Sequence, residues 1–192
     1  MSRLLKLTLV RHGKTELNQP GIYYGHTDLS MDEEGVQQIR ALARRLSGEP
    51  EAVYSSDLSR CIETSRLLWP DQHPIAMPAL REISFGKWEG MHYTQAQRLF
   101  PEGWQRFCAG GAPEGGEDAS TFYNRVTGGL QEILGRHESG QIAIVSHQGC
   151  IRAMLAHLLG MGSEQVWRFK IPPAGMATVE IVDGYAVLTQ MG

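Results

Sequence analysis

Leu4-Leu5-Lys6-Leu7-Thr8-Leu9-Val10-Arg11-His12-Gly13-Lys14-Thr15-Glu16-Leu17-Asn18 is the stretch on which the fold turns. Leu4, Leu5, Leu7, Leu9 and Val10 form an apolar run, stopped by Gly13, that reads as a buried strand of a parallel sheet rather than a helix. In open α/β sheets ligands bind beyond the carboxyl ends of such strands, so Arg11 and His12 stand where chemistry is placed. A guanidinium beside an imidazole suits a phosphoryl group: the arginine fork clamps phosphate oxygens while a neutral imidazole nitrogen attacks phosphorus. Alone, Arg-His-Gly reads first as a surface turn closing a strand, and the chemical reading needs support from elsewhere in the chain.

That support is a second strand tip. Ile142, Ala143, Ile144 and Val145 form another apolar run, ending in Ser146-His147-Gln148-Gly149, with a helix expected from about Cys150 to Leu159. Between the two tips, Ala52 to Tyr54 reads as a short strand that runs through Ser55-Ser56-Asp57-Leu58-Ser59-Arg60 into a helix beginning at Asp57 or Ser59 and ending near Trp69, before Pro70. Arg60 falls in the first turn of that helix, where free amides and the helix dipole favour an anion. Its competing role is that of a salt-bridged surface arginine.

The remaining elements follow in order. Ser30 is expected to cap a helix with Asp32, Glu33 and Glu34 in its first turn and Val36, Ile39, Leu42, Ala43 and Leu46 on its apolar face. Pro74 to Met77 suits a short edge strand, and Leu80-Arg81-Glu82 supplies an isolated acid. Met91 to Ala109 reads as one or two short helices broken at Pro101, with Trp104 and Phe107 at the spacing of core residues. Gly110 to Gly116 is a flexible loop, after which Ser120 to about Arg136 forms a helix that Glu117 is placed to cap. Ser163 to Trp167 is a helical turn, and the runs Met176 to Val182 and Tyr185 to Gln190, separated by Asp183-Gly184, form a terminal hairpin. Strands alternating with helices argue a single three-layer α/β/α domain over 1–192, with a mostly parallel sheet and helices on both faces. Residues 91–116 read as an insertion beside the pocket that helps choose the substrate.

Composition narrows the partners. A chain of 192 residues is about one domain. A formal net charge of −3 offers no general attraction to nucleic acid or to an anionic membrane, so an anionic substrate must be drawn by a local basic pocket, for which Arg11, Lys14, Arg60, His12 and His147 are the candidates. No apolar stretch is long enough to span a bilayer, and Met1-Ser2-Arg3 is not followed by the apolar core and cleavage site of a signal peptide. Three cysteines without a C-x-x-C spacing fit a reducing compartment, so the cytoplasm is expected, with no disulfide framework and no thiolate metal site. Cys150 reads as a small buried residue rather than a redox sensor. Seven histidines raise the alternative of a metal phosphoesterase, but no His-x-His or Asp-x-Asp cluster accompanies them, and neither a metal nor another cofactor is expected.

Taken together, Leu9 to Gly13, Ser55 to Arg60, Glu82 to Gly90 and Ser146 to Gly149 resemble, in order, the four motifs of the histidine phosphatase superfamily, whose fold is phosphoglycerate mutase-like. The resemblance implies a phosphomonoesterase in which His12 is the nucleophile, Glu82 the proton donor, and Arg11, Arg60 and a protonated His147 the phosphate-binding cations. It places the loop from Asn18 to Asp28 over the site, with Asn18 on phosphate unless it is an ordinary turn amide. Gln148 and Tyr24 are implied on the substrate as well. Trp88 is either a substrate contact or packing, and Tyr23, His92 and Tyr93 are further aromatic candidates, while Glu89 matches a position that anchors the loop. Lys14 stands where the family commonly has glutamate, and Cys61 where alanine is common. Ser146-His147-Gln148-Gly149, Phe85-Gly86-Lys87-Trp88-Glu89 and Val166-Trp167-Arg168-Phe169 look most like the α-ribazole phosphatases of cobalamin nucleotide-loop assembly, implying α-ribazole 5′-phosphate, or another small phosphomonoester, as the partner. A broad phosphatase, a phosphoglycerate mutase of the same superfamily and a non-catalytic phosphate-binding module are the alternatives. The absence of a C-terminal tail shielding the site, as in the mutases, favours hydrolysis, and the oligomeric state stays open.

Overall fold

The computed structural model describes residues 3–192. Its centre is a six-stranded sheet in the order β3-β2-β4-β1-β5-β6, built from β1 (Leu4–Arg11), β2 (Ala52–Ser55), β3 (Ile75–Ala76), β4 (Gly140–Ser146), β5 (Met176–Val182) and β6 (Tyr185–Met191). The first four strands are parallel, while β5 runs antiparallel to β1 and forms the expected hairpin with β6. Helices α1 (Glu33–Ala43) and α2 (Ser59–Leu68) cover one face; α5 (Ala119–Leu134) and α6 (Gln148–Leu158) cover the other. The three-layer architecture is therefore the one the alternating pattern predicts.

The pleat explains why β1 reads as a continuous apolar run. Leu5, Leu7 and Leu9 point into the core under α5 and α6, whereas Val10 joins Val53, Val145, Ile39 and Leu42 beneath α1 and α2. On that second face Val10 is preceded by the buried Thr8 and the half-buried Lys6, so the strand is apolar on both faces only toward its carboxyl end. Leu7, Leu9 and Val10 are wholly buried, each worth roughly 1.5 to 3 kcal/mol over exposure. Among the described residues no helix is long and apolar enough to cross a membrane.

Several boundaries differ from expectation for local reasons. Asp32, not Ser30, caps α1: its Oδ1 accepts the Gly35 amide at 2.7 Å, leaving Glu33 and Glu34 in the first turn. Likewise Asp118 rather than Glu117 caps α5, through the amide and hydroxyl of Thr121. Helix α6 starts at Gln148, directly after His147, instead of at Cys150. The segment from 91 to 116 holds the two expected helices, α3 (Tyr93–Leu99) and α4 (Pro101–Cys108), with Pro101 opening the second, where its missing amide is harmless.

Candidate active site

The sheet register sets the site. Arg11 pairs with Ser146 across β1 and β4, so the next residues, His12 and His147, emerge side by side with ring centroids 5.1 Å apart. Both rings are buried. Beneath them the His12 amide donates to Ser146 O at 3.1 Å, tying the two tips together.

His12 is held neutral, with one ring nitrogen unprotonated. Its Nδ1 lies 2.7 Å from Gly13 O; a carbonyl only accepts, so Nδ1 carries the proton and Nε2 keeps its lone pair. Burial, then the charges of Arg60 and Arg11, push its pKa well below the ordinary 6.5. Cys61 and Cys150, also buried, do not compete for the nucleophilic role: burial pushes the Cys61 thiol up to about 12 and holds the Cys150 thiol well above its usual value.

His147 departs from the expectation of a protonated phosphate contact. Arg60 Nε donates to its Nδ1 at 3.3 Å, so Nε2 carries the proton and donates to Ser56 Oγ at 2.9 Å. Burial first, then the nearby arginines and His12, lower its pKa well below 6.5, and the ring is neutral at pH 7. In this state it orients Arg60 and walls the cavity. Ser56, which sequence reasoning left without a role, fixes its tautomer.

Arg60 is wholly buried at the start of α2, as its position in the first turn requires. Besides the contact with His147, it donates through NH1 to Thr27 O (2.8 Å) and through NH2 to Gly25 O (2.7 Å), with its guanidinium 4.4 Å from the centroid of Tyr24. Two of the five donors of a guanidinium remain for phosphate. The loop carrying those carbonyls is itself clamped by Glu89. Its carboxylate accepts the amides of Gly25, His26, Thr27 and Phe85 at 2.9 to 3.1 Å and the Thr27 hydroxyl at 2.8 Å. A side chain at position 25 would run into Ile83 O, so glycine is required by this close approach. Burial opposes ionisation of Glu89, yet the amides of Gly25, His26 and Phe85 with the Thr27 hydroxyl outweigh it and hold its pKa below the ordinary 4.5. Glu89 therefore anchors the loop, as its motif position implies, and is linked to the cavity through Arg60. Glu89→Ala is expected to destabilise the fold by roughly 2 to 4 kcal/mol in urea titrations, since four buried or half-buried amides lose their acceptor. The folded fraction should still bind vanadate more weakly, because Arg60 loses its scaffold; wild-type stability and affinity would contradict this.

Arg11 donates through NH1 to Ile171 O at 2.7 Å, and its Nε, also buried, has no protein partner. Burial lowers its pKa to about 10, still well above neutrality. A buried donor without an acceptor is costly unless a ligand supplies one. Asn18 turns its Oδ1 onto the Thr15 amide at 3.0 Å, which leaves its NH2 group for an anion. Glu82 lines the same cavity. Its Oε2 accepts the Gly149 amide at 2.9 Å in the first turn of α6, and Oε1 accepts its neighbour's amide at Ile83 (3.0 Å). Its backbone is fastened by Arg125, which donates to Ala79 O, Arg81 O and Glu82 O and pairs with Glu117, and by the bidentate Arg81–Asp57 pair.

These groups line one cavity of about 450 Å³ that also includes Tyr24, Gln148, Phe85, Arg152 and Trp167. Lys14 is absent from it, being paired with Glu34 on the surface; Arg152, unforeseen from the sequence, takes the place expected of it. It lies four residues after Gln148 on α6, the spacing that puts both on one helix face, and that was the available signal. Trp88 is also absent from the cavity. It is wholly buried in an aromatic cluster with Tyr23, Phe100, Trp104 and Phe107, centroids 5.2 to 6.4 Å from its own, which seats α3 and α4 on the loop. Tyr23, His92 and Tyr93 likewise do not reach the cavity, and no described residue of 91–116 lines it. A wider groove of about 660 Å³ opens at the other end of β1, but its one arginine, Arg3, is paired with Glu138 there.

A neutral buried imidazole, arginines and an acid lining one cavity beyond the carboxyl ends of parallel strands suit phosphoryl transfer of the phosphohistidine type. A family model described as "Histidine phosphatase superfamily (branch 1)" matches residues 7–192, and the chain belongs to that superfamily. It is 31% identical over 190 residues to the adenosylcobalamin/alpha-ribazole phosphatase of Salmonella typhimurium, spanning 96% of this chain and 94% of that one. It is also 31% identical over 194 residues to phosphoserine phosphatase 1 of Hydrogenobacter thermophilus, spanning 98% and 92%. The crystal structure of the alpha-ribazole phosphatase from Shigella flexneri superposes with a TM-score of 0.91 at 29% identity, over 97% of this chain and 95% of that one. The protein is a phosphatase of the phosphoglycerate mutase-like fold.

Proposed function

We propose that this phosphatase hydrolyses α-ribazole 5′-phosphate in two steps through a phosphohistidine at His12. The juxtaposition of His12 Nε2 with Arg11, Arg60 and Glu82 in one cavity carries the reading. In the first step the Nε2 lone pair attacks phosphorus and the P–O bond to the ribose 5′-oxygen breaks, with Glu82 giving that oxygen a proton. In the second, water attacks the phosphohistidine, Glu82 takes its proton, and the N–P bond breaks to release phosphate and restore His12. Arg11, Arg60 and the Asn18 amide neutralise the equatorial oxygens throughout. A dianion held against His147 favours the charged ring, so a second proton there would displace Arg60 Nε and turn that guanidinium toward phosphate.

The substrate rests on the α-ribazole phosphatase relatives at 31% sequence identity and at a TM-score of 0.91. A phosphoserine phosphatase is the second reading, favoured by Arg152, a cavity guanidinium that a substrate carboxylate would pair with. The deciding measurement is kcat/KM for α-ribazole 5′-phosphate, phosphoserine and 3-phosphoglycerate under one set of conditions. The first is expected to exceed the others by at least about tenfold; a lead for phosphoserine would reassign the substrate. Because side-chain cations face the phosphoryl group, activity is expected to survive exhaustive chelation, and vanadate, which mimics five-coordinate phosphorus, should inhibit. Activity lost to chelator and restored by a divalent metal would refute the scheme.

A further inference from the structure

Trp167 is the largest aromatic side chain left in the open. It is 78% exposed, yet it lines the same cavity as His12 and Glu82, so it stands at the mouth rather than on a remote surface. The ring is not loose. Arg152 Cζ lies 5.1 Å from its centroid, a cation–π arrangement, and Arg152 is fixed in turn by donating Nε to Phe169 O at 2.7 Å. Arg152 lines the same cavity as Arg11 and Glu82, so the indole is tied to a side chain of that cavity's wall.

A guanidinium thus lies over the indole, and most of the remaining ring surface is open to solvent. The cavity wall also includes Leu17, Pro20, Ile22 and Phe85, none of which bears a charge. The cavity therefore offers uncharged apolar wall as well as the cations near His12. A phosphomonoester seated with phosphorus at His12 must extend its alcohol part toward that mouth.

We infer that Trp167 is a specificity-determining residue, its open ring surface stacking a flat ring carried by the leaving alcohol, with Arg152 as the positioning residue that holds the indole at the cavity mouth. The inference rests on the phosphatase reading above and names the substrate class of that site: phosphomonoesters of alcohols bearing a planar aromatic ring. A flat ring on Trp167 would bury two apolar faces at once, whereas a small polar alcohol would leave the indole in water. This also gives a role to Val166-Trp167-Arg168-Phe169, whose side chains the reaction scheme does not use.

The test compares pairs of 5′-phosphates that share phosphate and ribose and differ in the ring: α-ribazole 5′-phosphate against ribose 5-phosphate, and adenosine 5′-monophosphate against ribose 5-phosphate. In the parent, at least one ring-bearing substrate should have the higher kcat/KM. Trp167→Ala should lower that preference by roughly 10- to 100-fold, the usual worth of base stacking, while leaving ribose 5-phosphate unchanged. Trp167→Phe should keep most of it. Arg152→Leu should erode it partly, and α-ribazole should quench parent tryptophan fluorescence but not that of Trp167→Ala. The inference is overturned if the parent prefers neither ring-bearing substrate, or if Trp167→Ala lowers all three substrates alike or none. Should adenosine 5′-monophosphate show the Trp167-dependent preference while α-ribazole 5′-phosphate is not hydrolysed, the stacking role stands and only the α-ribazole assignment falls. Circular dichroism of the variants checks their fold, which an exposed side chain should leave intact.

Discussion

His12→Ala is expected to leave a folded protein whose phosphatase activity has dropped by on the order of 10⁴-fold or more, the scale seen when an enzyme loses its nucleophile. The expectation follows from geometry. Gly13 O fixes the proton on Nδ1, and no other buried group in the cavity offers an unprotonated lone pair toward phosphate: the Nδ1 lone pair of His147 is taken by Arg60, and both buried thiols are held protonated. Rapid quench of the parent with labelled substrate should trap an acid-labile, base-stable phosphoenzyme that the variant does not form. A fully active variant would end the proposal.

The same histidine makes a prediction about stability. His12 and His147 have folded pKa values pushed well below 6.5, so below about pH 6.5 the unfolded chain binds protons that the folded chain refuses. Stability contributed by keeping these rings neutral is therefore present above pH 6.5 and lost as the pH falls toward the folded values. In urea titrations at pH 7 and pH 5, His12→Ala should lose less stability between the two than the parent does. Equal losses would mean that the ring is not held neutral.

Legibility from sequence followed the range of the forces involved. The two strand tips could be read because an apolar run and its abrupt polar end are local, and Arg60 because a strand-to-helix turn places the first helical turn at the sheet edge. Glu89 could be read only through resemblance, yet its clamp on Gly25, His26 and Thr27 proved as implied. What escaped depends on contacts between distant segments. Trp88 and Trp167 both sit in short 3-10 turns; the first is sealed by Tyr23, Phe100, Trp104 and Phe107, none of them within ten residues of it, and the second is left open. Lys14 follows His12 by two residues, but its stem leads to Glu34 on α1 rather than into the cavity. The proton state of His147 turns on Arg60 and Ser56, from a different strand and helix. The caps of α1 and α5 shifted by one or two residues because Asp, Ser and Glu crowd both starts and only backbone direction chooses among them.

Glu82→Gln is expected to slow hydrolysis of alkyl phosphates by roughly 10² to 10⁴, the usual contribution of general acid–base catalysis. Glu82 lines the same cavity as His12, with each carboxylate oxygen holding one backbone amide and keeping a second acceptor position free. In the proposed scheme Glu82 gives the departing alkoxide its proton. Glutamine keeps the shape but carries no transferable proton, and its NH2 group must face either the Gly149 or the Ile83 amide, at a cost of about 1 kcal/mol in stability. That structural cost would weigh on all substrates alike. Loss of the acid would not: phosphates of acidic phenols leave without a proton, so their first step should be slowed far less than that of α-ribazole 5′-phosphate. The burst of phenol in single-turnover experiments should thus persist in Glu82→Gln while turnover slows, because water still needs a base to attack the phosphohistidine. If alkyl and aryl phosphates lose the same factor in the first step, the proton comes from elsewhere and Glu82 only braces the start of α6.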